Sequence, residues 1–139
     1  MAYAQLADMI RAFGEAELVT ATTQEGWDRE AMDQSMITDA LSVASDEMDD
    51  YLRRRYAVPV SNPSRKMVDV CCVLARWVLF RKPHLSPSDA MRADRKDAIA
   101  WLTAINSGSI TLDGLVPVNT GRDFSRIATR RPGFSGGFL

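Results

Sequence analysis

Residues 67–80 read Met-Val-Asp-Val-Cys-Cys-Val-Leu-Ala-Arg-Trp-Val-Leu-Phe. On an α-helix, the apolar side chains of this stretch cover nearly the whole circumference. A helix with no polar face lies at the centre of a fold, because every side of it has to be shielded from water. Ser64 is placed to cap the N-terminus of this helix, and Pro83 prevents the helix from continuing far beyond Arg81.

Apolar residues at spacings of three and four predict further helices before and after this central one. The predicted helices are residues 4–13 ending at Gly14, a long helix from about Asp33 whose stripe includes Arg55, and a helix from residues 86–89 to a stop at Gly108. Leu18 and Val19 allow one further turn over residues 15–23, but Gly26 and the polar residues 22–25 break the pattern, so residues 20–32 are predicted to be mostly loop. We therefore expect a mainly α fold, a small helical bundle of about four helices.

One charged residue interrupts the apolar run of the central helix. Arg76 lies between Ala75 and Trp77, and an unpaired charge costs several kcal/mol when it is buried. We expect Arg76 to be paired with Asp69 or with an acid of the long helix.

The last 27 residues, 113–139, abandon helical periodicity and contain five of the eight glycines. They also keep three phenylalanines interleaved with four arginines, which a purely solvated tail has no reason to retain. This composition predicts an extended, largely irregular C-terminal arm that becomes ordered against a partner. The predicted domains are a helical body, residues 1–112, and the arm, residues 113–139.

Composition and motifs exclude several classes of function. Seventeen basic and 18 acidic residues give a net charge of −1, so the chain has no overall attraction to a polyanion. No apolar run reaches the length needed to cross a bilayer, and the N-terminus lacks the features of a signal peptide, so we expect a soluble protein made in the cytoplasm.

Reactive side chains are few. Adjacent Cys71 and Cys72 point about 100° apart on a helix, which suits small core residues better than a disulfide or a shared metal. His84, the one histidine, lies in a turn bounded by Pro83 and is expected to be solvated. We find no nucleophile elbow, phosphate-binding loop or metal-ligand spacing, and therefore expect no enzymatic activity, cofactor or metal.

A DNA-binding alternative rests on the helix pair within residues 64–107. The second helix of this pair carries Arg92, Arg95 and Lys96, as a recognition helix would. It also carries Asp89, Asp94 and Asp97, and the first helix is too apolar to lie across a phosphate backbone. A DNA-binding packaging or regulatory protein is thus the alternative function.

From about Tyr3 to Gly108 the chain resembles the Mu-like branch of the head–tail connector, or neck adaptor, proteins of tailed phages. The resemblance depends on the order and spacing of these pieces: Phe13-Gly14-Glu15 with Glu17-Leu18; Ala44-Ser45, Glu47-Met48-Asp49 and Tyr51-Leu52; Arg55-Tyr56 with Pro59; Ala75-Arg76 followed by an aromatic residue; and Asp97-Ala98, Trp101-Leu102, Ile105 and Gly108.

This resemblance implies a structural virion protein in the neck, at the head–tail interface. Subunits of that class form a ring, commonly twelvefold, beneath the portal protein, and the ring encloses the channel through which DNA leaves the head without being bound specifically. The implied partners are the portal, neighbouring copies of the chain and the next neck or tail-completion protein, and no membrane is involved.

The resemblance also implies a role for the arm, because members of that class use an extended C-terminal segment to reach the portal or an adjoining subunit. The residues expected to bind there are Arg122, Phe124, Arg126, Ile127, Arg130, Arg131, Phe134 and Phe138. On the long helix, Asp49 and Asp50 precede Arg53 and Arg54 by four residues, a spacing that allows ion pairs along one face. A sharper interpretation of these four residues is contact between subunits.

Overall fold

Five helices make up the fold in the computed structural model of the protein, which describes residues 2–23 and 31–118. They are α1 (Leu6–Phe13), α2 (Glu15–Thr22), α3 (Gln34–Leu52), α4 (Arg65–Phe80) and α5 (Asp89–Ser107). The predicted mainly α fold is confirmed, and no β-strand occurs in the ranges that the structure describes. The bundle has five helices and not about four, because residues after Gly14 form a helix of their own.

The apolar helix predicted from residues 67–80 is α4, and it lies at the centre of the bundle. Every residue from Val70 to Phe80 is buried or half-buried, and α4 packs against each of the other four helices. Ser64 caps it as predicted, because its hydroxyl accepts a hydrogen bond from the backbone N–H of Met67.

Both predicted cysteine roles are confirmed, since Cys71 and Cys72 are free thiols in the core. Burial raises the pKa of the Cys71 thiol, and it raises the pKa of the Cys72 thiol to about 12. Both side chains therefore remain protonated and pack as small apolar groups.

Helix α2, Glu15–Thr22, is longer than the one further turn that the sequence indicates after Gly14, and its end overlaps the predicted loop, residues 20–32. The helix continues to Thr22, while residues 24–30 lie outside the described part of the chain. The turn after α4 supports the end of α2: Lys82 Nζ donates to the carbonyl oxygen of Ala21 at 2.9 Å. His84 Nε2 lies 3.1 Å from the carbonyl oxygen of Thr23, although its side chain is exposed as expected.

Tyr3 fastens the segment before α1 to the middle of the bundle. Its backbone N–H donates to Ser45 Oγ at 2.9 Å, and its phenol donates to the Asp49 carboxylate. The same phenol oxygen accepts the backbone N–H of Val60 at 3.0 Å. Burial, and then the hydrogen bond to Asp49, raise the pKa of Tyr3 above its usual value, so the phenol remains a donor.

Arg55 locks the C-terminal ends of α3 and α5 together. The prediction that Arg55 belongs to the stripe of α3 was wrong, because that helix ends at Leu52 and Arg55 lies in the following turn. Its Nε and Nη2 atoms each donate over 3.0 Å, to the carbonyl oxygens of Asn106 and Ser107. Those carbonyls belong to the last turn of α5, where backbone acceptors have no intrahelical donor.

Gly108 ends α5 as predicted, in the left-handed conformation with φ +91°. A Cβ atom added there would lie 2.7 Å from Arg55 Nη2, whereas one added at Gly114 (φ +80°) would meet nothing within 4 Å. We predict that Gly108→Ala lowers the free energy of unfolding by about 2 kcal/mol and Gly114→Ala by about 1 kcal/mol. The left-handed backbone conformation is unfavourable for alanine at both positions, and only the alanine at position 108 also meets Arg55. Urea denaturation measures both values.

The double variant Arg55→Ala/Gly108→Ala isolates the contact, because it removes the guanidinium that the new methyl group meets. Its loss should be smaller than the sum of the two single losses. Equal destabilisation by the two glycine variants would show that Arg55 moves aside without cost.

Candidate assembly surfaces

Residues 116–118 lie beside the turn that follows α3. The backbone N–H of Ala57 donates to the carbonyl oxygen of Val116 at 2.7 Å, and that of Val118 donates to the carbonyl oxygen of Arg55 at 3.0 Å. Leu115 is half-buried against the core, while the Val116 side chain is 68% exposed. Residues 113–118, the first part of the predicted arm, therefore pack along the helical body.

The arm residues for which binding is predicted lie outside the described residues. They are Arg122, Phe124, Arg126, Ile127, Arg130, Arg131, Phe134 and Phe138. Their role as contacts for the portal or for a neighbouring subunit stays a prediction.

The four charged residues near the end of α3 are divided between two roles. Asp49 accepts the hydrogen bond from Tyr3 and so belongs to the anchor of the N-terminal segment. Asp50 lies 3.8 Å from Arg53 Nη2, and these two side chains are exposed, as is that of Arg54. The predicted i,i+4 pairs are absent from this described turn: Arg53, the C-cap residue of α3, lies beside Asp50 and not Asp49, and Arg54 belongs to the turn that follows the helix.

Arg76 is half-buried, and its side chain is only 12% exposed, so the predicted need for a partner is confirmed. The predicted partners were wrong. Its guanidinium lies 3.0 Å from Asp94 Oδ2 on α5 and 3.7 Å from Glu17 Oε2 on α2, and its Cζ atom lies 4.3 Å from the centre of the Phe13 ring. One cation thus joins the central helix to α1, α2 and α5. Asp69 lies one helical turn after Arg65 and is paired weakly with that residue, at 3.8 Å.

A second ion pair joins α3 to α5. Arg95 Nη2 lies 3.1 Å from Glu47 Oε2, and the Arg95 Cζ atom lies 5.3 Å from the centre of the Trp77 ring on α4. Arg95, one of the arginines of the alternative recognition helix, therefore faces the bundle and contacts Glu47 and Trp77.

A groove of about 210 Å³ runs between α4 and α5. Val70, Val73 and Ala98 form its apolar floor, and the charged residues along it are Lys66, Asp69, Asp94 and Asp97. We call this the α4–α5 groove. This groove was not predicted from the sequence. Asp69 and Val73 are four residues apart and Asp94 and Asp97 are three residues apart, so the members of each pair lie on one face of their helix.

Neither a metal-binding cluster nor a membrane-spanning helix occurs among the described residues. Within residues 2–23 and 31–118, no group of three or more His, Cys, Asp or Glu side chains is arranged to hold a metal ion. Over the same ranges, no helix is long and apolar enough to cross a membrane.

The described residues thus form a small α-helical body, and the sequence that follows it contains four arginines and three phenylalanines. The family described as Bacteriophage Mu, Gp36 matches residues 3–121, and the chain belongs to this family. The Mu-like prophage FluMu protein gp36 of Haemophilus influenzae is 31% identical to it over 83 residues, which are 60% of this chain and 57% of that protein. The match thus spans less than two thirds of the relative's length.

Family membership suggests a structural or morphogenesis protein of a Mu-like phage. The predicted resemblance is confirmed at this level. The matched residues end at 121, so all of the arm's arginines and phenylalanines lie beyond the part of the chain that the family model matches.

Arg76→Ala leaves the carboxylates of Glu17 and Asp94 without their shared cation. We predict that it lowers the free energy of unfolding by about 2 kcal/mol, below the value for a fully buried pair because the two acids are partly exposed. Arg65→Ala is the matched control, since its pair with Asp69 is exposed and should contribute less than about 0.5 kcal/mol. Thermal and urea unfolding provide the measurement.

The variant Arg76→Ala/Glu17→Gln tests the physical cause, because it removes the cation and also neutralises its more buried partner. It should be milder than Arg76→Ala. A double variant as unstable as Arg76→Ala would show that packing of the arginine stem, and not the orphaned carboxylate, accounts for the loss.

Proposed function

We propose that the protein is a head–tail connector subunit of a Mu-like phage, a structural protein that forms a ring beneath the portal and links the DNA-filled head to the tail. The observation that carries the proposal is membership of this family together with a helical body that is followed in the sequence by 21 residues, 119–139, containing four arginines and three phenylalanines. A body of this kind builds the wall of a ring, and the segment reaches beyond it.

The arm has the chemistry of a docking peptide. Arginine forms forked hydrogen bonds with carboxylates and backbone carbonyls, and phenylalanine fills apolar pockets at the centres of interfaces. In the proposed assembly these residues contact the portal or a neighbouring subunit. The opposite end of the ring contacts the next neck or tail-completion protein, and the ring is twelvefold.

The charge distribution supports a channel that lets DNA pass. Four arginines and one aspartate give residues 119–139 a charge of +3, so the net −1 of the whole chain leaves −4 on residues 1–118. On α3, Asp39, Asp46 and Asp50 are exposed. An acidic body repels a polyanion, whereas a basic bore would retain it.

The proposal includes no catalytic role. Arginine and carboxylate side chains of the described core are paired with one another, as at Arg76 and Arg95, and so serve to hold helices together. The function we propose for the protein is therefore assembly, with no reaction and no cofactor.

Deleting residues 119–139 tests the arm. We predict that the truncated protein keeps its helical content and melts within a few degrees of the full chain, because the buried core described above lies within residues 3–105. It should fail to join portal rings. Circular dichroism gives the first result, and electron microscopy of mixtures with purified portal gives the second.

Full-length Ser125→Ala/Thr129→Ala is the control for that experiment, since it alters the arm without touching an arginine or a phenylalanine. It should join portal rings like the unaltered chain. A large fall in the melting temperature on truncation would place the arm in the subunit's own core and contradict its proposed role.

The DNA-binding alternative makes the opposite prediction for a gel-shift experiment. Arg95 is paired with Glu47, and Arg92 Nη1 lies 3.4 Å from Asp89 Oδ1, so this helix offers few free cations to phosphates. We predict that the full-length protein does not retard duplex DNA at physiological salt. Retardation that disappears in Arg92→Ala/Arg95→Ala would favour the alternative over a passive conduit.

A further inference from the structure

We propose that the α4–α5 groove of one subunit binds the Arg- and Phe-containing segment 119–139 of a neighbouring copy. The proposal rests on the ring assembly proposed above and deepens it by naming the surface that receives the arm. It requires a groove of suitable shape and charge, a segment of matching chemistry, and enough chain to join the two.

The groove fits an aromatic side chain between charged walls. Its volume is about 210 Å³, and a cavity of roughly 150 Å³ accommodates a benzene-sized ring. Val70, Val73 and Ala98 provide the apolar floor, and three aspartates against one lysine give the lining a net charge of −2. An apolar floor with acidic walls selects a ligand that combines rings with cations.

Two of the acids are available to such a ligand. Asp97 is exposed and takes part in no ion pair among the described residues. The Asp94 side chain remains 50% exposed although one of its oxygens contacts Arg76. Lys66, the one cation of the lining, is placed 5.6 Å from the centre of the Trp101 ring.

Segment 119–139 has the complementary composition. Phe124 lies two residues after Arg122 and two residues before Arg126. When its ring packs on the apolar floor of the groove, a guanidinium on each side can reach the acidic walls. Forked hydrogen bonds between arginine and carboxylate are among the stronger contacts available at a partly exposed surface.

The length of the segment allows contact between subunits. Fully extended, 21 residues reach about 70 Å, whereas a body of this size is about 35 Å across. In a ring, each interface joins two different surfaces of the same chain. A basic segment and an acidic groove provide such a pair, and repetition around the ring fills every groove.

Peptide binding tests the groove. A fluorescent peptide of residues 119–139 is titrated into the full-length tail variant Arg122→Glu/Arg126→Glu, whose own segment no longer competes. We expect binding that weakens at least tenfold when Asp69→Arg/Asp97→Arg is added. The matched control adds Asp39→Arg/Asp46→Arg, the same charge change on the exposed face of α3, and should weaken binding less than threefold.

Mixing experiments test whether the occupied groove belongs to a neighbour. The full-length groove variant Asp69→Arg/Asp97→Arg and the tail variant should each sediment as monomers, because groove and segment then carry charges of the same sign. Their mixture should form complexes, since each offers the other an opposite charge.

Three outcomes would overturn the inference: no peptide binding to the tail variant, equal weakening by the groove and α3 changes, or a mixture that stays monomeric although each variant offers the other an opposite charge. Circular dichroism confirms that each variant is folded. Portal rings that form with the groove variant would leave the connector function intact while removing the groove from it, so the two proposals fail separately.

Discussion

The apolar circumference of α4 is the constraint on which the rest of the fold depends. Because α4 has no side that water can solvate from Val70 to Phe80, each of the other helices has to turn an apolar face toward it. The same constraint explains why its one internal cation is held so closely. Arg76 is paired with acids from α2 and α5, and these contacts help to fix where the two helices cross α4.

Polar contacts at the edge of the bundle then fix the segments that the core alone leaves undetermined. Tyr3 binds α3 and the loop before α4 with one phenol, and Arg55 binds the last turn of α5 with one guanidinium. Arg55 also contributes its own carbonyl to Val118. Val118, the residue that precedes segment 119–139, is therefore held by the same residue that joins α3 to α5.

Features set by local chemistry were predictable from the sequence, whereas those set by long-range packing were not. The burial of α4, the cap at Ser64 and the stop at Gly108 follow from nearby residue types and spacing. Helix α2 has only two turns, and part of its support comes from Lys82, about sixty residues later; an isolated helix of that length is marginal. Arg55 fitted the stripe of α3 by spacing, yet its carbonyl partners lie on α5. Asp49 was assigned to a surface pair because the sequence does not show that Tyr3 reaches it. The groove arises only when α4 and α5 are placed side by side, so no single segment predicts it.

The separation of charge between residues 1–118 and 119–139 gives the proposed assembly two different ranges of interaction. At physiological ionic strength the Debye length is about 8 Å, so an acidic body acts on DNA only near its surface, and DNA at the centre of a channel experiences little force. Direct contacts between arginine and aspartate in a partly buried groove are screened much less. A ring held together by such contacts can thus remain closed under conditions in which its bore neither attracts nor strongly repels DNA. A basic body with an acidic arm could close a ring equally well, but it would retain the genome that it has to release.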